Sequence, residues 1–388
     1  MRPPQSFRLK RPACFVAAVL FSVAVFSAPT FAAPPLPGPL TMNSGQAVQT
    51  PEDWTARRAE MRDILLTHEY GHAPEPPAVV AAETAREEAH FTEPADLWAV
   101  KVTARLRFGG LSMEAGYWRP RDAEGPVPVV LAMEPVWWPD PFLKNGIVQR
   151  VLARGYAFAG FDHNALASFE DPAHRAALDA YPDHDWGVVA VGAWGYRVAM
   201  NWLESLPELD AKRVAVWGHS RRGKSALLAG ALDERFAAVV PHMSGMGGSA
   251  LYRVRGKGAQ RIEQLLERFW LHPALFAYMD SEDELPLDQH WLHALVAPRP
   301  MCVHTGRTDH WGNPAGERAA IDAARPVYDW LGKPGNLVYY EGDYGHHDPN
   351  GPEGADSWET LLDFLDLYFK GMEDKRGRFT ATNGGRHE

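Results

Sequence analysis

The sequence predicts an α/β protein, a mostly parallel β-sheet with helices on both faces. Three observations lead there. The chain has 388 residues, 46% of them hydrophobic, enough to bury a large core. Short apolar runs alternate along it with amphipathic stretches. An antiparallel hairpin precedes the alternation.

The elements follow in chain order. Residues 1–32 read as a leader. Arg2, Arg8, Lys10 and Arg11 form a basic start, Ala13 to Ala28 is almost wholly apolar, and small residues follow at Ala32 and Ala33. This is the pattern of a cleaved signal peptide, and the apolar run is shorter than the roughly 18 residues a spanning helix needs. Residues 33–50 are Pro-rich and read as an extended tail. Pro51-Glu52-Asp53-Trp54 opens a helix expected to run to Tyr70, where Gly71 and Pro74 end it. Trp98 to Leu106 and Met113 to Tyr117 alternate apolar and polar positions around Gly109-Gly110, a hairpin signature. Strands are then expected at Val127–Met133, Tyr156–Phe161, Arg213–Trp217, Ala237–Pro241, Pro300–Thr305 and Asn336–Glu341. The helices between them are Ile147–Arg154, Trp186–Leu206, Gly223–Leu232, Arg318–Leu331 and Ser357–Lys370. Gly245 to His293 breaks the alternation and reads as a mostly helical insertion over the top of the sheet. The catalytic domain is thus expected over 51–373, with a disordered tail at 374–388.

Composition excludes several functions. With 39 basic against 49 acidic residues the net charge is −10, the wrong sign for a nucleic-acid partner. Cleavage of the leader, with its four basic residues, takes the charge to −14 and leaves Cys302 as the sole cysteine, so no internal disulfide is expected. The expected product is periplasmic or secreted, with no membrane segment after cleavage.

The central motif is Gly218-His219-Ser220-Arg221-Arg222-Gly223-Lys224-Ser225, between a strand and a helix. It fits the phosphate-binding pattern G-x-x-x-x-G-K-S in a strand–loop–helix context. It also resembles a nucleophile elbow, G-x-S-x-G, with the second glycine displaced by one position. The elbow demands an acid and then a histidine after later strands, and both are present: Asp309, then His346-His347. The order Ser, Asp, His is that of α/β-hydrolases. A phosphate loop predicts neither residue, and an exported protein meets no ATP. The elbow makes Ser220 a nucleophile that needs an imidazole to take its proton. The residues alone leave His346 and His347 as alternatives. His346-His347-Asp348 lacks the helical spacing of a zinc site, and no metal or cofactor is expected. His290 and His293 read as core or capping residues. Trp137-Trp138 read as either pocket wall or packing, and Asp162 as structural.

The stretch from Gly218 to Lys224 resembles the signature of glucuronoyl esterases, carbohydrate esterase family fifteen. The resemblance continues through Ala229 to Arg235, Ser244 to Gly248, Leu285 to His290, Ala297 to Pro300 and Asp309-His310-Trp311, and covers roughly Trp54 to Phe369. It implies a serine esterase of bacterial type cleaving esters between 4-O-methyl-glucuronic acid on xylan and alcohols of lignin. Fungal members place the triad acid where this chain has Met243, which cannot serve, so the resemblance puts it at Asp309. His219 and His347 stand where fungal members carry a cysteine pair, which makes His346 the catalytic base. The resemblance also gives Arg221 to the oxyanion, and Lys224, Glu267, Trp311 and, more loosely, Gln260 to the sugar. An acetyl-xylan or other carboxylic-ester hydrolase is the alternative within the fold. A nucleotide-binding protein and a non-catalytic carbohydrate binder are the alternatives outside it.

Overall fold

The structure, a computed structural model, describes residues 35–135, 141–348, 351, 354–374 and 376–379. The expected signal peptide and the pair Trp137-Trp138 lie outside them.

Among the described residues, nine strands form one sheet in the order β1-β2-β3-β5-β4-β6-β7-β8-β9. They are β1 (Val80–Phe91), β2 (Leu97–Phe108), β3 (Leu111–Pro120), β4 (Val127–Ala132), β5 (Ala157–Phe161), β6 (Leu209–His219), β7 (Ala238–His242), β8 (Met301–Gly306) and β9 (Leu337–Gly342). From β5 to β9 all neighbours are parallel. The first three strands are antiparallel and join the rest through β3 and β5. β4, β5, β7 and β8 are buried at every position, which is why the sequence shows them as continuous apolar runs instead of alternation.

Among the described residues ten α-helices accompany the sheet: α1 (Pro51–Leu65), α2 (Pro141–Lys144), α3 (Ile147–Ala153), α4 (Ala176–Ala180), α5 (Val188–Leu203), α6 (Arg221–Leu232), α7 (Ile262–Leu266), α8 (His290–Val296), α9 (Pro314–Trp330) and α10 (Ala355–Lys370). One apolar cluster joins one face of the sheet to α1, α5, α6, α8 and α9. A second joins the other face to α3 and α10. The two clusters are the two sides of a three-layer sandwich, as the alternation predicts.

Four features depart from the sequence reading. β1 was not expected, because AETAREEAH has a helical composition. It is an edge strand whose residues are nearly all exposed, so no apolar stripe marks it. Cross-strand ion pairs such as Lys101–Glu87 at 2.9 Å and Arg107–Glu83 at 2.8 Å line it instead. The tail at 35–50 is docked, not free. The Pro37 carbonyl accepts from Trp291 Nε1 at 2.9 Å, and Arg57 donates to Asn43 Oδ1 at 2.8 Å. The other end is also packed: Phe379 is 5% exposed and joins the α10 cluster, so the expected tail at 374–388 is anchored through 379. The insertion, expected to be mostly helical, carries only α7, α8 and two short 3₁₀ turns between irregular stretches.

Candidate active site

The three candidate catalytic residues sit beyond the carboxyl ends of β6, β8 and β9, where open α/β sheets place their ligands. Ser220 is the turn between β6 and α6, with φ 56° and ψ −126°, a backbone that L-residues rarely adopt. Two glycines allow so tight a bend. A Cβ on Gly218 would lie 2.4 Å from the Arg222 carbonyl oxygen, and one on Gly223 would lie 2.8 Å from the Gly218 oxygen. The second glycine therefore stands five residues after the first because its backbone closes on that glycine's own carbonyl.

The side chains form one hydrogen-bonded chain. Ser220 Oγ is 2.8 Å from His346 Nε2, and His346 Nδ1 is 2.7 Å from Asp309 Oδ2. Asp309 is 1% exposed, and its Oδ1 accepts the Gly312 N–H at 2.8 Å. Gly312 must be glycine, since a Cβ there would lie 2.3 Å from Asp309 Oδ2. His347 is exposed and turned away, its ring meeting that of His346 edge-on at 4.8 Å. Met243, at the fungal acid position, has φ 46° and lies against β8 through its N–H bond to the His304 carbonyl.

Arg221 opens α6, so its N–H belongs to the helix's unsatisfied first turn beside the nucleophile. Its guanidinium is ion-paired with Glu170 and lies over the rings of Phe169 at 5.7 Å and Trp270 at 6.0 Å. Arg222 pairs with Glu134 at 2.9 Å.

Lys224 is 2% exposed. Its three N–H donors go to the Ser244 carbonyl at 2.6 Å, the Met246 carbonyl at 2.5 Å and Gln260 Oε1 at 2.9 Å. Burial pushes the ammonium down to about 7, opposed by the carboxylates of Glu317, Glu69 and Asp309. A phosphate-loop lysine reaches out to its anion. This one braces the Ser244–Met246 loop, so the nucleotide reading does not fit the geometry. Gln260 donates its N–H to the Trp311 carbonyl at 3.2 Å, and the Trp311 side chain is 40% exposed. Glu267 caps the C-terminus of α7 with its side chain exposed. Thus Lys224, Gln260 and Trp311 are linked in series by hydrogen bonds, and Glu267 lies apart from these contacts.

Two buried carboxyls that act on Lys224 were not read from the sequence. Glu317 Oε1 accepts from the Gly245 N–H at 3.0 Å and from Ser249 Oγ at 2.5 Å. Glu69 Oε1 accepts from Tyr252 Oη at 2.6 Å and from Gln289. In the sequence both look like ordinary helix acids, and only their tertiary burial distinguishes them. Burial pushes each carboxyl up to about 7. For Glu69 the native state then keeps a proton that the unfolded chain releases near its ordinary value of 4.5. Its contribution is full below pH 4.5 and is lost as pH rises through about 7, a loss on the order of 3 kcal/mol. Glu69→Gln is expected to abolish that part of the loss. Urea midpoints of both proteins at pH 5 and pH 8 check it. Glu317 acts in the same direction and Lys224 in the opposite one, and because the Glu69 carboxylate also acts on Lys224, the difference between the two proteins reports Glu69 together with that coupling.

His290 and His293, both in α8, are structural. His290 Nε2 is 2.8 Å from the Pro37 carbonyl, and burial pushes His290 down to about 4 and His293 to about 3. Asp162 caps a turn through the Asn164 N–H at 3.0 Å. Among the described residues, no cluster of three or more His, Cys, Asp or Glu could hold a metal ion, and no helix is long and apolar enough to cross a membrane.

The chain is similar to proteins of known activity over most of its length. The family model for fungal glucuronyl esterases matches residues 102–332. A carbohydrate esterase from an unknown prokaryotic organism is 30% identical over 397 residues, spanning 87% of this chain and 90% of the relative. The 4-O-methyl-glucuronoyl methylesterase of Neurospora crassa is 29% identical over 328 residues, spanning 80% of this chain and 77% of the relative. A solved glucuronoyl esterase of carbohydrate esterase family 15 from Caldicellulosiruptor kristjansonii superposes with a TM-score of 0.75 at 28% identity, covering 92% of this chain and 96% of that one.

Proposed function

The chain belongs to the glucuronoyl esterase family, carbohydrate esterase family fifteen, and from that premise we propose that it is a serine esterase hydrolysing 4-O-methyl-glucuronoyl esters of plant cell-wall carbohydrate. The observation that carries the mechanism is the unbroken path from Ser220 Oγ through His346 to Asp309, with links of 2.8 and 2.7 Å.

The steps follow from that path. His346 Nε2 takes the Ser220 proton as Oγ attacks the ester carbonyl. Asp309, accepting from Nδ1, fixes the imidazole tautomer and stabilises the imidazolium. The oxyanion forms beside the Arg221 N–H, where a preformed donor contributes about a hundred- to a thousand-fold in rate. His346 then returns the proton to the leaving alcohol. A water, activated by the same imidazole, releases the uronic acid from the acyl-enzyme. Lys224, Gln260, Trp311 and Glu267 are assigned to the sugar. The three N–H donors of Lys224 all have protein acceptors, so Lys224 has to exchange one of them for a sugar hydroxyl.

Comparing hydrolysis of benzyl glucuronate with that of an aryl acetate tests the substrate. We expect the glucuronate to have the higher kcat/KM. Turnover of the acetate alone would leave an esterase of the same fold without uronate specificity. The leader at 1–32 supports export to the periplasm or beyond, checked by the N-terminal residue of the protein recovered from culture.

A further inference from the structure

The carboxyl end of the sheet carries a row of imidazoles that the proposed mechanism does not use. His219 pairs with His242 across β6 and β7, and His242 with His304 across β7 and β8. Tyr340 on β9 continues the row. In-register parallel neighbours share a face of the sheet, so the rings meet. His242 and His304 stack with centroids 4.2 Å apart at 17°. His219 lies 5.7 Å from His242 on one side and 4.8 Å from His346 on the other. His242 and His304 are at most 1% exposed. Burial keeps the row neutral, with His304 pushed down to about 3 and both His219 and His242 held well below the ordinary imidazole value.

Contacts tie this row, directly or through Tyr344, to the three catalytic loops. The His242 carbonyl accepts the Ser220 N–H at 2.9 Å. The His219 ring packs against the His346 ring with centroids 4.8 Å apart and faces the His346 backbone. Tyr344, two residues before His346, is hydrogen-bonded through Oη to His304 Nε2 and lies 3.4 Å from His242 Nε2. The Tyr344 carbonyl accepts the N–H of Thr308, the neighbour of Asp309, at 3.2 Å. Two glycines make room for Tyr344. A Cβ on Gly306 would lie 2.4 Å from its carbonyl oxygen, and one on Gly342 would lie 2.1 Å from its ring. Nucleophile, base and acid loops therefore all rest on one buried layer.

We propose that His219, His242 and His304, together with Tyr344, are positioning residues that hold the His346 loop at proton-transfer distance from Ser220. The proposal rests on the reading of Ser220, His346 and Asp309 as the triad. A neutral imidazole row suits the task. Each flat ring packs like an apolar side chain, yet offers a nitrogen that fixes a loop in direction as well as distance. Misplacement of a catalytic group by about 1 Å costs about a hundred-fold in rate.

Tyr344→Phe removes one hydroxyl and leaves the ring in place. For benzyl glucuronate we expect kcat to fall by about ten- to a hundred-fold with KM within about two-fold. The low-field proton resonance of the His346–Asp309 hydrogen bond should shift or broaden. His219→Ala should behave alike, and His219→Asn, whose amide keeps a donor for the same backbone, should recover most of the lost kcat. The His219 pair also serves if Tyr344→Phe does not fold. The proposal is overturned if Tyr344→Phe and His219→Ala keep kcat within about two-fold and leave the resonance unmoved. It is also overturned if His219→Asn is as impaired as His219→Ala. Failure of the triad reading looks different: Ser220→Ala would then retain turnover, whatever the variants of the row do.

Discussion

Ser220→Ala is expected to lower kcat for glucuronate ester hydrolysis by about a million-fold, the loss seen when a serine nucleophile with an intact base is removed. Stability should barely change. Alanine and serine both carry a Cβ, so the backbone at φ 56° is no worse for the variant. The lost Oγ also gives up just one hydrogen bond to a half-buried imidazole. Binding should survive, because Lys224, Gln260 and Trp311 are untouched. The measurement is single-turnover hydrolysis of benzyl glucuronate alongside an inhibition constant for free glucuronate. A fluorophosphonate should label Ser220 in the wild type and nothing in the variant. A variant that keeps turnover would remove the acyl-enzyme. Lost affinity with an unchanged melting temperature would mean that Ser220 is a binding residue.

Much of this site could be read from the chain because it is written in local geometry. The elbow announces itself through Gly218 and Gly223, which no other residues could replace in so tight a turn. Asp309 and His346 follow later strands in the order such an elbow requires. The parallel strands show as apolar runs because both of their faces are covered. What could not be read depends on partners distant in sequence. β1 is a strand because β2 offers it an edge, not because of its own composition. Residues 35–50 look like a linker until Trp291 and Arg57 bind their backbone and side chains. Lys224 was expected to face the sugar, and only the fold brings the Ser244 and Met246 carbonyls onto it. The histidine row is of the same kind. His219, His242 and His304 are unremarkable in sequence, and the sheet register makes them neighbours.

Asp309→Asn separates the carboxylate's role from mere space-filling. Both oxygens of Asp309 have fixed duties: Oδ1 accepts the backbone N–H of Gly312 at 2.8 Å, and Oδ2 faces His346 Nδ1 at 2.7 Å. A backbone N–H cannot become an acceptor, so the asparagine oxygen must stay with Gly312. The amide NH₂ then faces Nδ1 and donates to it. His346 is forced into the tautomer with its proton on Nε2, and it can no longer take the proton of Ser220. Gly312 thus makes the substitution more damaging than an isosteric exchange suggests, because it denies the side chain the alternative flip. We expect kcat to fall by about ten thousand-fold with KM within about three-fold and the fold intact. Since the block is a tautomer, raising the pH should restore part of the rate as the serine loses its proton to hydroxide. Rates measured between pH 6 and pH 10 decide it. A flat profile with near wild-type kcat would show that Asp309 is not the residue that orients the base.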